Sequence, residues 1–215
     1  MLAEIAHHYN EGGAFMHVIA FWLIMAWTVI IERTVYLYKS SINKDMFLAT
    51  MQKCILSGNV EQAIKLCSAA NAPLARIVKA GLLKVNRPDE EVQSAMDETA
   101  LVEVPKVEKR TPYLALLANL AMLSGLLGTV LGLISAFKAV ATADAATKAT
   151  LLAAGISEAM NCTAFGLGSA LVALLGFALL NGHTQKVLDD INAATVQVVN
   201  LVVNNRSKVN VQGSR

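Results

Sequence analysis

The feature that most constrains this chain is the run Leu151 to Leu180, LLAAGISEAMNCTAFGLGSALVALLGFALL, whose only formal charge is Glu158. As a helix rising 1.5 Å per residue it would be roughly 45 Å long, more than the ~30 Å hydrocarbon core of a bilayer. The run therefore reads as a transmembrane helix. A carboxyl inside such a helix costs on the order of 3 kcal/mol or more unless it meets water or a partner. Glu158 thus poses the functional question.

The rest of the composition agrees. Of 215 residues, 55% are hydrophobic and 16% charged, against the quarter or so of charged residues usual in a soluble domain. A net charge of +2, with bases and acids interspersed, argues against a nucleic-acid surface. Cys54, Cys67 and Cys162 have neither CxxC nor Cys/His spacing and are expected to be plain thiols. His7, His8 and His17 lack the neighbours of a metal site, so no metal or other cofactor is expected. No nucleophile–base constellation suggests an enzyme.

Residues 1–13 carry Glu4 and Glu11 but no Lys or Arg, the wrong charge for the basic start of a cleaved signal peptide, so this segment is expected to stay on the protein. Ala14 to Ile31 is a near-continuous apolar run closed by Glu32, Arg33, Tyr36 and Tyr38, giving a first span over residues 14–38. Charges return over residues 39–110, where Phe47, Met51, Cys54 and Ile55 recur at helical spacing. Breaks at Gly58-Asn59, Asn71-Ala72-Pro73 and Asn86-Arg87-Pro88 predict three or four short helices in a water-exposed bundle. Pro105 and Pro112 allow a kink or break before a second, uncharged span within residues 111–137.

A connector over residues 138–150 precedes the third span, residues 151–183, and a helical tail, residues 184–215. Residues 39–110 hold eleven Lys and Arg, whereas the first 15 residues hold none and the connector only Lys138 and Lys148. By the positive-inside rule residues 39–110 and the tail are cytoplasmic and the N-terminus and connector lie outside. The expected fold is all-α, with three transmembrane helices and long cytoplasmic helical extensions.

Gly125, Gly128 and Gly132 form a smooth stripe on the second span, and Gly155, Ala159, Cys162, Gly166 and Ala170 a similar one on the third. Small residues let helices approach closely in lipid, so these are helix-packing positions. Val187, Ile191, Ala194, Val198 and Leu201 alternate by four and three, an apolar seam expected to pack against neighbouring subunits.

The runs IIERTVYLYKSSIN, SGNVEQAIKLCSAANAPLARIVKAGL, EVPKVEKRTPYLALLANLA, GLLGTVLGLISAF and GISEAMNCTAFGLGSAL together resemble the MotA/TolQ/ExbB proton-channel family in its ExbB/TolQ-like branch. The resemblance implies a bacterial inner-membrane protein, the larger subunit of an ion-driven motor. Five copies would surround two helices of a single-span ExbD/TolR/MotB-like partner, whose aspartate takes up and releases the proton. Through that partner the motor would do work on the cell envelope: energised transport, envelope maintenance or gliding.

The resemblance also implies site residues. The pore-facing threonines of the second and third spans correspond to Thr129 in GLLGTV and Thr163 in NCTAFGL, and the intramembrane glutamate to Glu158 in ISEA. Many relatives carry Pro where this chain has Met122 and Val172, so both spans are expected to be straighter here. The plainer reading of either threonine is a bond to its own helix carbonyl. That of Glu158 is an inter-subunit hydrogen bond by a protonated carboxyl, against a direct part in the ion path. Five residues apart, Glu158 and Thr163 point about 140° from each other on one helix. A self-contained small transporter and a passive membrane scaffold are the competing functions. The first would be expected to show internal repeats and broken helices, and the second gives no reason for a carboxyl and two hydroxyls at similar depth.

Overall fold

The computed structural model describes residues 12–204, and these are entirely helical and loop, without a strand. Seven helices follow in order: α1 (Phe15–Ser40), α2 (Lys44–Leu56), α3 (Val60–Ala69), α4 (Pro73–Leu83), α5 (Asp89–Glu108), α6 (Tyr113–Thr142) and α7 (Lys148–Asn204). Three stretches, Phe15–Leu56, Asp89–Thr142 and Lys148–Asn204, are long and apolar enough to contain a membrane-crossing helix.

The boundaries follow local chemistry. Asn43 and Asn59 cap α2 and α3, their side chains accepting from the amides of Met46 and Gln62 at 3.2 and 3.1 Å. Pro73 stands in the first turn of α4, where a missing N–H costs nothing. Asp89, Glu90 and Glu91 crowd the first turn of α5, at the positive end of its dipole. Pro105 lies inside α5 without ending it, and the break comes at Arg110, whose φ of 71° turns the chain out of helix before Pro112. The membrane-length helices outrun the apolar stretches. Ala-rich sequence carries α6 on to Thr142 and starts α7 at Lys148, leaving a connector of only a few residues. Neither α6 nor α7 is interrupted at Met122 or Val172.

The chain divides into two compact units. The first takes the chain up to Glu32 together with Arg110–Leu180. In it α6 and α7 run antiparallel along their small residues. A methyl group placed on Gly125 would stand 3.0 Å from the Cys162 carbonyl oxygen, and one on Gly132 would stand 3.4 Å from Ala159 Cβ. One on Gly155 would collide with Ala136. Helix α1 lies against both helices: Trp22 Nε1 donates to Ser124 Oγ at 3.2 Å, and Ile30 fills the space left by Gly176. Glu32 and Arg110 form an ion pair at the other end of this unit. Phe21, Ile24, Leu126, Leu171 and Leu175 point outward. Small residues inside and large apolar ones outside is the arrangement lipid favours.

The second unit takes Arg33–Lys109 together with the chain from Asn181 on. Met51, Ile55, Ile77, Val78, Leu82, Val92, Met96 and Val107 form its core. Arg33 is only 3% exposed; it donates to the carbonyls of Lys106 and Val107 and stacks over Tyr36 at 4.9 Å. Its guanidinium thereby satisfies carbonyls in the last turn of α5, where the helix has no partners of its own to offer. The apolar seam of the tail is used differently from the expectation. Val187, Ile191, Ala194 and Val198 are buried within the chain itself, so they are not the surface that meets a neighbouring subunit. A seam so placed closes the unit instead, with Lys44 on α2 pairing Asp190 on α7 at 2.8 Å.

Candidate functional site

Thr129 on α6 and Thr163 on α7 meet across the helix pair, hydroxyl to hydroxyl. The glycines make this possible. A methyl group on Gly166 would stand 2.9 Å from Gly125 Cα and 3.0 Å from the Ala121 carbonyl oxygen, so the two backbones touch one turn away from the threonine pair. At a wider helix separation two β-branched residues with short side chains could not reach each other.

Thr129 Oγ1 also lies 3.1 Å from the Gly125 carbonyl oxygen in its own helix and 3.3 Å from the Ala159 carbonyl oxygen in α7. A hydroxyl has one proton to donate and two lone pairs to offer. Hence Thr163 donates to Thr129 while Thr129 donates to a carbonyl, or the pair reverses and Thr163 becomes the acceptor. The plain back-bond and the inter-helix pair coexist, and switching between them needs only rotation about C–O bonds. Such a unit can donate to a carboxylate or accept from a neutral acid without moving the backbone. Both residues are half-buried.

The helices are longer than the apolar runs, so the pair lies farther from the helix ends than from the ends of those runs. Thr129 is thirteen residues from the end of α6 and Thr163 fifteen from the start of α7, about 20 Å along either helix. The pair is nevertheless close to the level of the start of α1, since a methyl on Gly128 would stand 3.1 Å from both Phe15 Cβ and Cys162 Cβ.

Glu158 is not brought to the threonines. It is exposed on α7, and its carboxylate lies over Gly13, where any Cβ would collide with Oε1 and stand 3.2 Å from Cδ. The separate directions expected from the helical wheel are therefore realised, with an occupant on the Glu158 side that sequence reasoning did not find. The adjacent Gly12 carbonyl accepts from the Cys162 thiol at 2.8 Å. A Gly-Gly pair directly before an apolar helix was the available signal, because two residues without Cβ allow close backbone approach.

Among the described residues no group of three or more His, Cys, Asp and Glu side chains is placed to hold a metal ion. His7 and His8 lie outside the described residues, and His17 is on an exposed face of α1. All three cysteines are free and buried. Burial pushes the Cys67 thiol up to about 11, which makes it a core side chain rather than a nucleophile. A further cluster went unread in the sequence. Glu103, almost wholly buried, pairs with Arg76 at 2.9 Å and Lys106 at 2.7 Å. Only the i,i+3 spacing of Glu103 and Lys106 hinted at it.

Residues 69–193, more than half of the chain, match the model of the MotA/TolQ/ExbB proton channel family. A Synechocystis sp. protein named for its likeness to the biopolymer transport protein ExbB is 32% identical over 193 residues, covering 86% of this chain and 74% of its own length. An ExbB homolog from Methanothermobacter thermautotrophicus is 25% identical over 185 residues, and there the match spans 85% of this chain and 65% of the relative. The Tol-Pal system protein TolQ of Haemophilus influenzae is 36% identical over 88 residues, 41% of this chain and 38% of TolQ. The matched region contains α6, α7 as far as residue 193, both threonines and all five packing glycines; with the model match and these relatives, the chain belongs to the MotA/TolQ/ExbB proton channel family, in its ExbB/TolQ-like branch.

Proposed function

We propose that this chain is the ring-forming stator subunit of a proton-driven motor in the bacterial inner membrane, with residues 39–110 and the tail in the cytoplasm and the α6–α7 connector outside. Several copies, five by family resemblance, surround a single-span ExbD/TolR/MotB-like partner whose aspartate carries the proton. The partner in turn acts on an envelope effector. The observation that carries this reading is the hydroxyl pair Thr129–Thr163 within a chain of the proton channel family.

A proton crossing on a partner carboxyl needs a neighbour that stabilises both charge states. The threonine pair supplies a donor for the carboxylate and an acceptor for the acid. Each unit charge crossing 100 mV releases about 2.3 kcal/mol, which the ring and central helices convert into relative movement. Glu158, on another face of α7, orders the outer side of the same path. Ring closure rests on van der Waals packing between protomers, since exposed apolar residues such as Leu171, Leu175 and Leu179 on α7 are equally at home against lipid.

The test is proton flux in liposomes. The chain alone should conduct no more than protein-free vesicles, and co-reconstitution with its partner should raise flux. Robust flux from the lone chain would sink the partner requirement and favour a self-contained transporter.

A further inference from the structure

We propose that Gly12 and Gly13 form a backbone clasp that positions the Glu158 side chain and shuts the face of α7 carrying Cys162. This clasp involves no partner protein; it joins the start of the first span to the third span of the same protomer. It goes beyond the ion-path reading and rests on that reading only in treating Glu158 as part of the path.

Three contacts define the clasp. The Cys162 thiol donates to the Gly12 carbonyl oxygen at 2.8 Å and is buried. The Glu158 carboxylate occupies the space where a side chain at Gly13 would begin. Phe15 packs beside Gly128 and Cys162, the residues immediately preceding Thr129 and Thr163. Gly13 has φ +67°, a left-handed conformation that glycine adopts freely and other residues only with strain. It therefore meets two demands at once, a reversed backbone and an absent side chain.

The electrostatics favour the same arrangement. Gly13 precedes Phe15, the first residue of α1, so the carboxylate sits at the positive end of that helix, where amides lack intrahelical acceptors. The Glu158 side chain is held there; leaving for another subunit or the partner would require the clasp contact to be replaced. Glu158 is the residue held in place in this arrangement, and Gly13 decides where it stands.

Gly12 and Gly13 can be separated experimentally. The nearest atoms to a methyl on Gly12 would be those of the Met16 side chain, Cγ at 2.5 Å and Sδ at 2.8 Å, rather than the Glu158 carboxylate. A methyl on Gly13 meets the Glu158 carboxylate and a strained backbone. The readout is the rate at which N-ethylmaleimide alkylates Cys162 in the detergent-solubilised complex, quantified on the Cys162 peptide by mass spectrometry. Gly13→Ala should raise the rate about tenfold, equivalent to roughly 1.4 kcal/mol of clasp closure. Gly12→Ala should leave it close to wild type.

The double variant Gly13→Ala with Glu158→Ala keeps the backbone strain but removes the colliding carboxylate, so its rate should fall back toward wild type. An unchanged rate in Gly13→Ala would overturn the clasp, and a double variant as reactive as Gly13→Ala would overturn the seating of Glu158 on Gly13, since strain alone would then explain the opening. Proton flux is not measured in this assay, so its failure leaves the threonine reading standing and a failure of the threonine variants leaves the clasp standing.

Discussion

Gly125 and Gly166 stand back to back across the α6–α7 crossing, with 2.9 Å between Gly125 Cα and the point where a Gly166 side chain would begin. Backbone, not a movable side chain, lines that space. Gly166→Ala should therefore force the helices apart and destabilise the protein by about 1–3 kcal/mol, the usual cost of overpacking. Gly168→Ala, where nothing lies within 4 Å, is the matched control and should be neutral. Thermal unfolding of the two variants in detergent decides it: equal midpoints would show that the crossing is loose.

The same crossing sets the hydroxyl pair, and its chemistry can be isolated from its packing. Thr129→Val and Thr163→Val keep shape and lose the hydroxyl, and each should abolish energised flux in the reconstituted complex while leaving expression and ring formation intact. Thr129→Ser and Thr163→Ser should retain much of it. Full activity in both valine variants would reduce the hydroxyls to helix-packing groups.

Glu158 is expected to grade by what replaces it. Glu158→Gln keeps hydrogen-bonding capacity and should preserve assembly in part, whereas Glu158→Ala should lose more of both assembly and activity. Native mass spectrometry of the ring beside a flux assay would separate the two effects. Equivalent behaviour of Gln and Ala would mean that the hydrogen-bonding capacity of this side chain carries neither effect.

In the second unit Glu103 gives a pH dependence. Burial alone would raise its carboxyl, but hydrogen bonds and charge from Lys106 and Arg76 outweigh that and hold it below the ordinary value of 4.5. A depressed folded value means that the stabilisation is complete above about 4.5, where the unfolded carboxyl is also ionised, and is lost as pH falls through the lower folded value. Unfolding midpoints between neutral pH and acid should drop below that point, and Glu103→Gln should flatten the drop while costing about 1–3 kcal/mol at neutral pH. A wild-type slope unchanged by the substitution would place the acid sensitivity elsewhere.

Arg33 offers a second probe of that unit. Its fork reaches two successive carbonyls, Lys106 and Val107, and a lysine has a single ammonium that cannot span them. Arg33→Lys should lower the stability of the unit by about 1–3 kcal/mol despite keeping the charge. Chemical denaturation followed by circular dichroism would show it, and an unshifted midpoint would mean that charge alone is required.

These contacts differ in how far the sequence revealed them. Apolar runs of membrane length and the returning charges after Arg33 are one-dimensional signals, so the three long helices and the short ones between them were legible. The glycine spacing likewise marked the helix-packing faces, because the helical period is local information. The meeting of Thr129 with Thr163 inside one protomer was not legible, since equal depth does not fix which faces of two helices are opposed. Burial of Arg33, the Glu103 cluster and the seat of Glu158 over Gly13 all depend on segments far apart in sequence. For Val187, Ile191 and Val198 the periodicity was read correctly but its partner was not, as an apolar stripe is the same whether its cover is the same chain or another.

The discontinuity of the second unit bears on how the protein is made. Its core draws on Arg33–Lys109 and on the chain beyond Asn181, with Lys44 reaching Asp190 across everything between. At about 5–20 residues per second, synthesis of residues 110–180 takes roughly 4–14 s. Throughout that interval helices α2 to α5 have been synthesised, but the stretch carrying the buried Ile191, Ala194 and Val198 does not yet exist. The unit is therefore completed only after both later passes have entered the bilayer, and a nascent chain stalled before Asn181 presents an unsealed apolar face to chaperones and proteases.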